Sequence, residues 1–271
     1  AGGRPVTLAR IYRALPIAGF QQATQYRIQS LLWMLFAIIR PVIFLAAWVA
    51  VATAQGGTIG SYTVGDFAGY YVCLTFVSQL TMAWNSHEFE FEVNQGRLSA
   101  KLLRPLHVLH YSVVENLVFK LNTLPVLAVV LVLVSWSFGA SYRTEPWHIV
   151  VFVPSVLLAA ALLFVFNWVI AALAFWATRM RTANTLFQRA AFVFAGQIAP
   201  IGLMPGWLQA VSYALPFWYM IGAPTEILRG SVTFDQALLI LAGQTAWLAA
   251  TVVAFRWIWK RGLAAYSAVG A

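Results

Sequence analysis

Six stretches of this chain stay apolar for about the length of a bilayer crossing: residues 31–54, 66–86, 113–137, 149–177, 185–204 and 236–257. A helix needs about 20 such residues to span the hydrocarbon. No strict apolar/polar alternation runs through them, so membrane strands are ruled out. Only helices then satisfy each backbone amide within its own segment. Composition agrees, with 61% hydrophobic and 9% charged among 271 residues, where a soluble domain carries about 25% charged. That leaves too little polar surface to cover a globule in water. The expected fold class is all-α integral membrane: six transmembrane helices in a single domain over residues 1–271.

The charges between these stretches give the orientation. Arg4, Arg10, Arg13, Arg27, Arg97, Lys101, Arg104, Arg179, Arg181, Arg189, Arg256, Lys260 and Arg261 all fall on one side. The other side holds Arg143 and Arg229 against Asp66, Glu145, Glu226 and Asp235. Basic loops face the cytoplasm, so both termini are expected there, in a cell inner (plasma) membrane. The net charge of +9 is then a topology and lipid-anchoring signal, and nucleic acid is not an expected partner. Ala52-Thr53-Ala54 has the form of a signal-cleavage site. The apolar run before it is too long and contains Arg40, so 31–54 is expected to be a retained span. Cys73 is the one cysteine, which excludes an internal disulfide and a thiolate metal site.

Three segments outside the spans stand out. In 5–25, Leu8, Ile11 and Leu15 share a helical face turned away from Arg10 and Arg13, the pattern of an amphipathic helix in the cytoplasmic interface or of a plain basic leader. In 87–106, Glu88, Glu90 and Glu92 cluster before Gly96, and a short helix is expected from Arg97 through Leu103 until Pro105 stops it. Leu98 and Leu102 share one face of that helix and Arg97 and Lys101 another. A short helix with one apolar ridge suits docking into a groove on another protein, although a solvated loop remains open. In 205–230, Pro205, Trp207, Pro216, Phe217, Pro224 and Glu226 belong to an aromatic run that prolines cut into short pieces. It is too apolar for an aqueous loop and too broken for a span. A re-entrant helical hairpin between spans five and six is expected, with an interfacial aromatic plug as the other reading.

No Gly-x-x-x-x-Gly-Lys-Ser/Thr phosphate loop, His-Glu-x-x-His or Gly-x-Ser-x-Gly occurs. His107 and His110 have helical spacing but sit at a membrane edge, where an interfacial pair outweighs a metal site. No catalytic, cofactor or metal residue is expected on this chain. Polar groups inside spans are costly and worth naming. Arg40 lies next to Pro41 in the first span, and Tyr71, Thr75, Ser78, Met82 and Asn85 share a face of the second. Arg40, Tyr71, Thr75, Ser78 and Asn85 are the candidate pathway residues; interhelical hydrogen bonding would explain the stripe equally well.

The order of these features resembles the permeases of type 2 ABC exporters, and is most similar to the viologen-exporter-like branch. Two runs carry the resemblance: Glu92 to Gly96, Leu98, Leu103 and Pro105, and Met204-Pro205-Gly206-Trp207-Leu208 to Leu215-Pro216-Phe217, Pro224, Glu226, Leu228 and Gly230. Arg40 has no place in that pattern.

The resemblance implies a non-enzymatic permease subunit that pairs with an identical or homologous second permease above an ABC ATPase dimer. ATP and Mg would bind on that partner ATPase, and Glu92, Gly96, Arg97, Leu98, Lys101, Leu102, Leu103 and Pro105 would form the coupling segment. The expected activity is ATP-driven export of a hydrophobic or amphiphilic compound by alternating access. An ion-coupled secondary transporter is the alternative, though no inverted repeat or midplane acidic relay supports it. A lipid-modifying enzyme lacks a nucleophile cluster.

Overall fold

A computed structural model describes residues 27–95, 103, 108–176 and 181–265. Helix α1 (Arg27–Ala54) contains Pro41 and closes where the Gly57 amide donates to the Ala52 carbonyl at 2.7 Å. A tight hairpin follows, strands β1 (Thr58–Ile59) and β2 (Tyr62–Thr63), with Ile59 opposite Tyr62. Thr63 then caps α2 (Val64–Thr81) in a reciprocal box. The Asp66 amide donates to Thr63 Oγ1 at 3.1 Å, and the Thr63 amide to Asp66 Oδ2 at 3.0 Å. A cap of this kind contributes about 0.5–2 kcal/mol.

Beyond α2 the chain forms α3 (Asn85–Asn94), α4 (Val108–Ser137) and α5 (Pro146–Ala172), the last tightening into a 3-10 turn over Leu173–Phe175. Helix α6 covers Arg181–Phe194. Three short helices come next: α7 (Gly206–Ala214), α8 (Pro216–Met220) and α9 (Gly222–Arg229). The described chain ends in α10 (Phe234–Ala265).

Three helical segments among the described residues are long and apolar enough to cross a membrane: Val108–Ser137, Pro146–Phe175 and Phe234–Ala264. Ile38–Ala54 is a shorter apolar helix. The other two sequence stretches differ from expectation for a physical reason. Helix α2 is enclosed by its neighbours: Phe67, Tyr70, Leu74 and Val77 are buried, and the helix packs on α1, α4, α5 and α9. An enclosed helix has less need of lipid-soluble side chains, and α2 carries Asp66 and Gln79, whose Nε2 donates to Thr123 Oγ1 on α4 at 2.7 Å. In the fifth stretch the helix stops at Phe194 instead of running to 204, a rod of about 21 Å.

Helices α5 and α10 form the most extensive pair. One end of the bundle gathers the β-hairpin, the 138–145 loop and the turn after α9. There the Ser141 amide donates to the Gly65 carbonyl at 2.9 Å, the Arg143 amide to the Arg229 carbonyl at 3.0 Å, and Thr144 Oγ1 to the Leu228 carbonyl at 2.6 Å. The opposite end gathers α3, the start of α4, the 3-10 turn and the last turns of α10 around a second core of Phe89, Val93, Val108, Trp168, Ala174 and Trp259. The expected interfacial helix at 5–25 lies outside the described residues.

Candidate functional site

At the hairpin end a cleft of about 670 Å³ opens between β2, the 141–143 loop, α7–α9 and the start of α10. Its floor is charged. Asp66, held at the first turn of α2 by its cap, lies 3.7 Å from Arg229 and 3.6 Å from Arg143. Arg229 also pairs with Glu226 at 3.1 Å, donates to the Tyr62 hydroxyl at 3.2 Å and lies 4.8 Å from the centre of the Tyr62 ring. Ser231 Oγ donates to the Glu226 carboxylate.

The Arg229 side chain is 9% exposed, that of Arg143 72%. The first is therefore a buried ion pair and the second a rim contact, and only the buried one is expensive to break. Burial works against the charge of Arg229, but Glu226, Tyr62 and Asp66 outweigh it and raise its pKa further. Burial, reinforced by Glu226, pushes the Tyr62 hydroxyl up to about 12, so it stays neutral and can accept from the guanidinium. Tyr213, Trp218 and Tyr219 line the cleft's aromatic wall.

Behind the cleft, the chain leaves α6 and runs without helix from Ala195 to Pro200, then makes one 3-10 turn over Ile201–Leu203 before α7. The carbonyls of Gly196 and Ile198 lie outside any helix and take donors from other elements. Tyr70 donates to the Gly196 carbonyl at 2.7 Å, while Tyr71 at 2.6 Å and Trp48 Nε1 at 2.7 Å both donate to Ile198. Gly196 has φ +81°, and a Cβ there would stand 2.6 Å from the Tyr70 hydroxyl, so no larger residue fits. On the other side, Gln244 of α10 donates to the carbonyls of Tyr219 at 2.9 Å and Ser155 at 3.1 Å. The turn before the short helices is thus held by α1 and α2, and Gln244 ties α8 to α5 and α10.

The predicted site residues fall into three groups. Gly96, Arg97, Leu98, Lys101, Leu102 and Pro105 lie outside the described residues; Glu92 is half-buried on α3, and Leu103 is 88% exposed in a turn. Among the pathway candidates, Tyr71 and Thr75 are buried, with Thr75 Oγ1 donating to the Tyr71 carbonyl at 2.6 Å, and Ser78 is half-buried. Asn85 is separated from them by the break after α2 and begins α3, its Nδ2 3.4 Å from the Phe164 carbonyl. None of these lines the charged cleft. Arg40 is exposed on α1, 5.4 Å from the Phe192 ring centre on α6.

The third group organises the short helices. Pro205 precedes α7, Trp207 is 68% exposed on it, Pro216 opens α8, and Pro224 is buried in α9. Phe217 meets Phe166, Phe187 and Phe194, and Glu226 reaches the cleft. Asp66, Arg143 and Arg229 entered the sequence reading only as topology charges, and Tyr62 not at all. The signal was present in Thr63-x-x-Asp66, a cap motif, and in acids and arginines gathered on one side.

Long apolar helices packed around an enclosed helix, α2, that carries Asp66 and Gln79 are the build of a multi-pass helical membrane protein. The chain belongs to the ABC-2 family transporter proteins, whose family model matches residues 37–270. It is accordingly a membrane permease subunit of an ABC transporter, a class that works with an ATPase subunit. Comparison with curated proteins gives no match.

Proposed function

We propose that this permease belongs to an exporter of the viologen-exporter-like kind, moving a hydrophobic or amphiphilic compound out of the cytoplasm or inner leaflet of the inner membrane. The reading takes six spans with both termini inside and a re-entrant α7–α9 segment at the outer surface, which would put the charged cleft outside and α3 inside. The family match over 37–270 supports a permease that works with an ATPase subunit; with no nucleotide loop in the sequence given, the reading puts ATP and Mg on that partner. The 96–106 segment directly follows α3 and supplies Leu98 and Leu102 for docking.

A second permease subunit, identical or homologous, completes the pathway. Support comes from α6, which exposes Thr182, Thr185 and Arg189 along one face. Such a face is costly against lipid and would be at home against another subunit, with Arg40 at its edge.

The reading is tested by purifying the permease with its ATPase. Replacing Leu98 and Leu102 together by Asp should abolish the complex while leaving the permease folded. A complex that survives this change would refute the docking assignment.

A further inference from the structure

Helix α3 is ten residues long and polar in composition, and Phe89 is the largest side chain it is seen to bury in the bundle. Phe89 is 1% exposed. Its ring lies 5.1 Å from Trp168 on α5, 5.5 Å from Phe175 in the 3-10 turn and 5.5 Å from Trp259 on α10, with interplanar angles of 64°, 82° and 46°. The walls of this box also meet one another: Trp259 is 5.9 Å from Trp168 and 5.4 Å from Phe175. Gly262 makes room for Phe175, since a Cβ there would stand 2.1 Å from the Phe175 ring. The Trp168 indole N–H has no hydrogen-bond partner among the described residues, so ring packing alone holds Phe89 against Trp168.

We propose that Phe89 is the joint through which movement of the 96–106 segment reaches α5 and α10. This rests on the coupling reading above. The chain leaves α3 at Gln95 and passes directly into that segment. A close-packed aromatic interior is barely compressible and transmits displacement. A push on α3 therefore carries the Trp168 and Trp259 walls with it, and those walls belong to the two helices that form the largest pair in the fold. Phe89 acts here as a positioning residue: it touches no substrate and passes on a motion. Val93 and Asn85 are also buried on α3, and the Phe89 ring is the group seen to reach α5, the 3-10 turn and α10 together.

The test reads motion at the far end of the molecule and needs no substrate. In a Cys73→Ser background, Trp136→Cys and Leu239→Cys place spin labels on exposed positions at the hairpin ends of α4 and α10. Pulsed-resonance distances are taken in the permease–ATPase complex before and after trapping with Mg-ATP and vanadate. The parent complex should show a trapping-dependent shift. Phe89→Ala should abolish it, and Phe89→Leu, which keeps apolar volume but loses the ring edge, should reduce it, with the trapped nucleotide per complex unchanged. A full shift in a folded Phe89 variant would overturn the role of Phe89. So would loss of the ATPase from these variants, which would make Phe89 a support for docking. A parent complex with no shift at all would count against the coupling reading itself.

Discussion

At the hairpin end, Arg229 lies 3.1 Å from Glu226 and 3.7 Å from Asp66, and Tyr62 receives a hydrogen bond from the same guanidinium. At the α3 end, Phe89 meets Trp168, Phe175 and Trp259 at 5.1–5.5 Å, and the indole N–H of Trp168 has no acceptor among the described residues. Both clusters are buried and both join several elements, but they resist change differently. Charge pairs in a dry site are directional, and losing one member leaves the other uncompensated. Ring-edge contacts are individually worth only about 0.5–1.5 kcal/mol beyond their burial and are tolerant of angle. The charged end therefore fixes the partners of each charge, while the aromatic end is held by close packing of rings, with no paired charge among them.

The largest test of that contrast is Arg229→Ala. It leaves Asp66 and Glu226 without their buried cation, and the expected destabilisation is about 3–5 kcal/mol, read as a drop in unfolding temperature in detergent. Adding Glu226→Gln and Asp66→Asn should restore part of the loss, because the stranded charges are then gone. An Arg229→Ala protein as stable as the parent would show that the cleft is wet enough to screen its charges, and the contrast would fail. Gly196→Ala comes next. The left-handed conformation alone costs a non-glycine residue about 1–2 kcal/mol, and the new Cβ also displaces the Tyr70 hydroxyl from the Gly196 carbonyl. This change should loosen the turn before α7 while leaving the α3 end as it was, which site-resolved hydrogen exchange would reveal.

The sequence disclosed the membrane, the apolar stretches and the proline-cut segment, because hydrophobic length and prolines act locally. It was less informative wherever tertiary packing took over. Helix α2 was expected as a span reaching residue 86, yet it stops at Thr81, and Tyr71 and Thr75 of its polar stripe are buried among other helices. Tyr71 was a candidate for lining a pathway and is found donating to the Ile198 carbonyl, a partner 127 residues away that no spacing could name. The fifth stretch is apolar to residue 204, but its helix ends at Phe194. The turn beyond it depends on donors from Trp48, Tyr70 and Tyr71, which hydropathy does not register. The Asp66–Arg229 contact joins two residues that each look like an ordinary loop charge when taken alone. Phe89 sat among Glu88 and Glu90, where the acidic neighbours masked it.

The smallest expected effect is the most discriminating for the α3 end. Trp168→Phe removes the unpartnered indole N–H and with it a desolvation penalty of about 1–3 kcal/mol. It also opens a void, and residual cavity costs about 24 cal/mol per Å³. The two terms oppose each other, so stability should stay within about 1 kcal/mol of the parent in the same unfolding assay. The outcome bears directly on the contrast between the two ends. Deleting a polar atom among the rings should be nearly neutral, whereas deleting one from the Arg229 cluster should not. A loss of more than about 2 kcal/mol would mean that the indole N–H is held by a hydrogen bond worth keeping. The box around Phe89 would then be anchored in direction like the charged cleft, and the contrast between the two ends would fail.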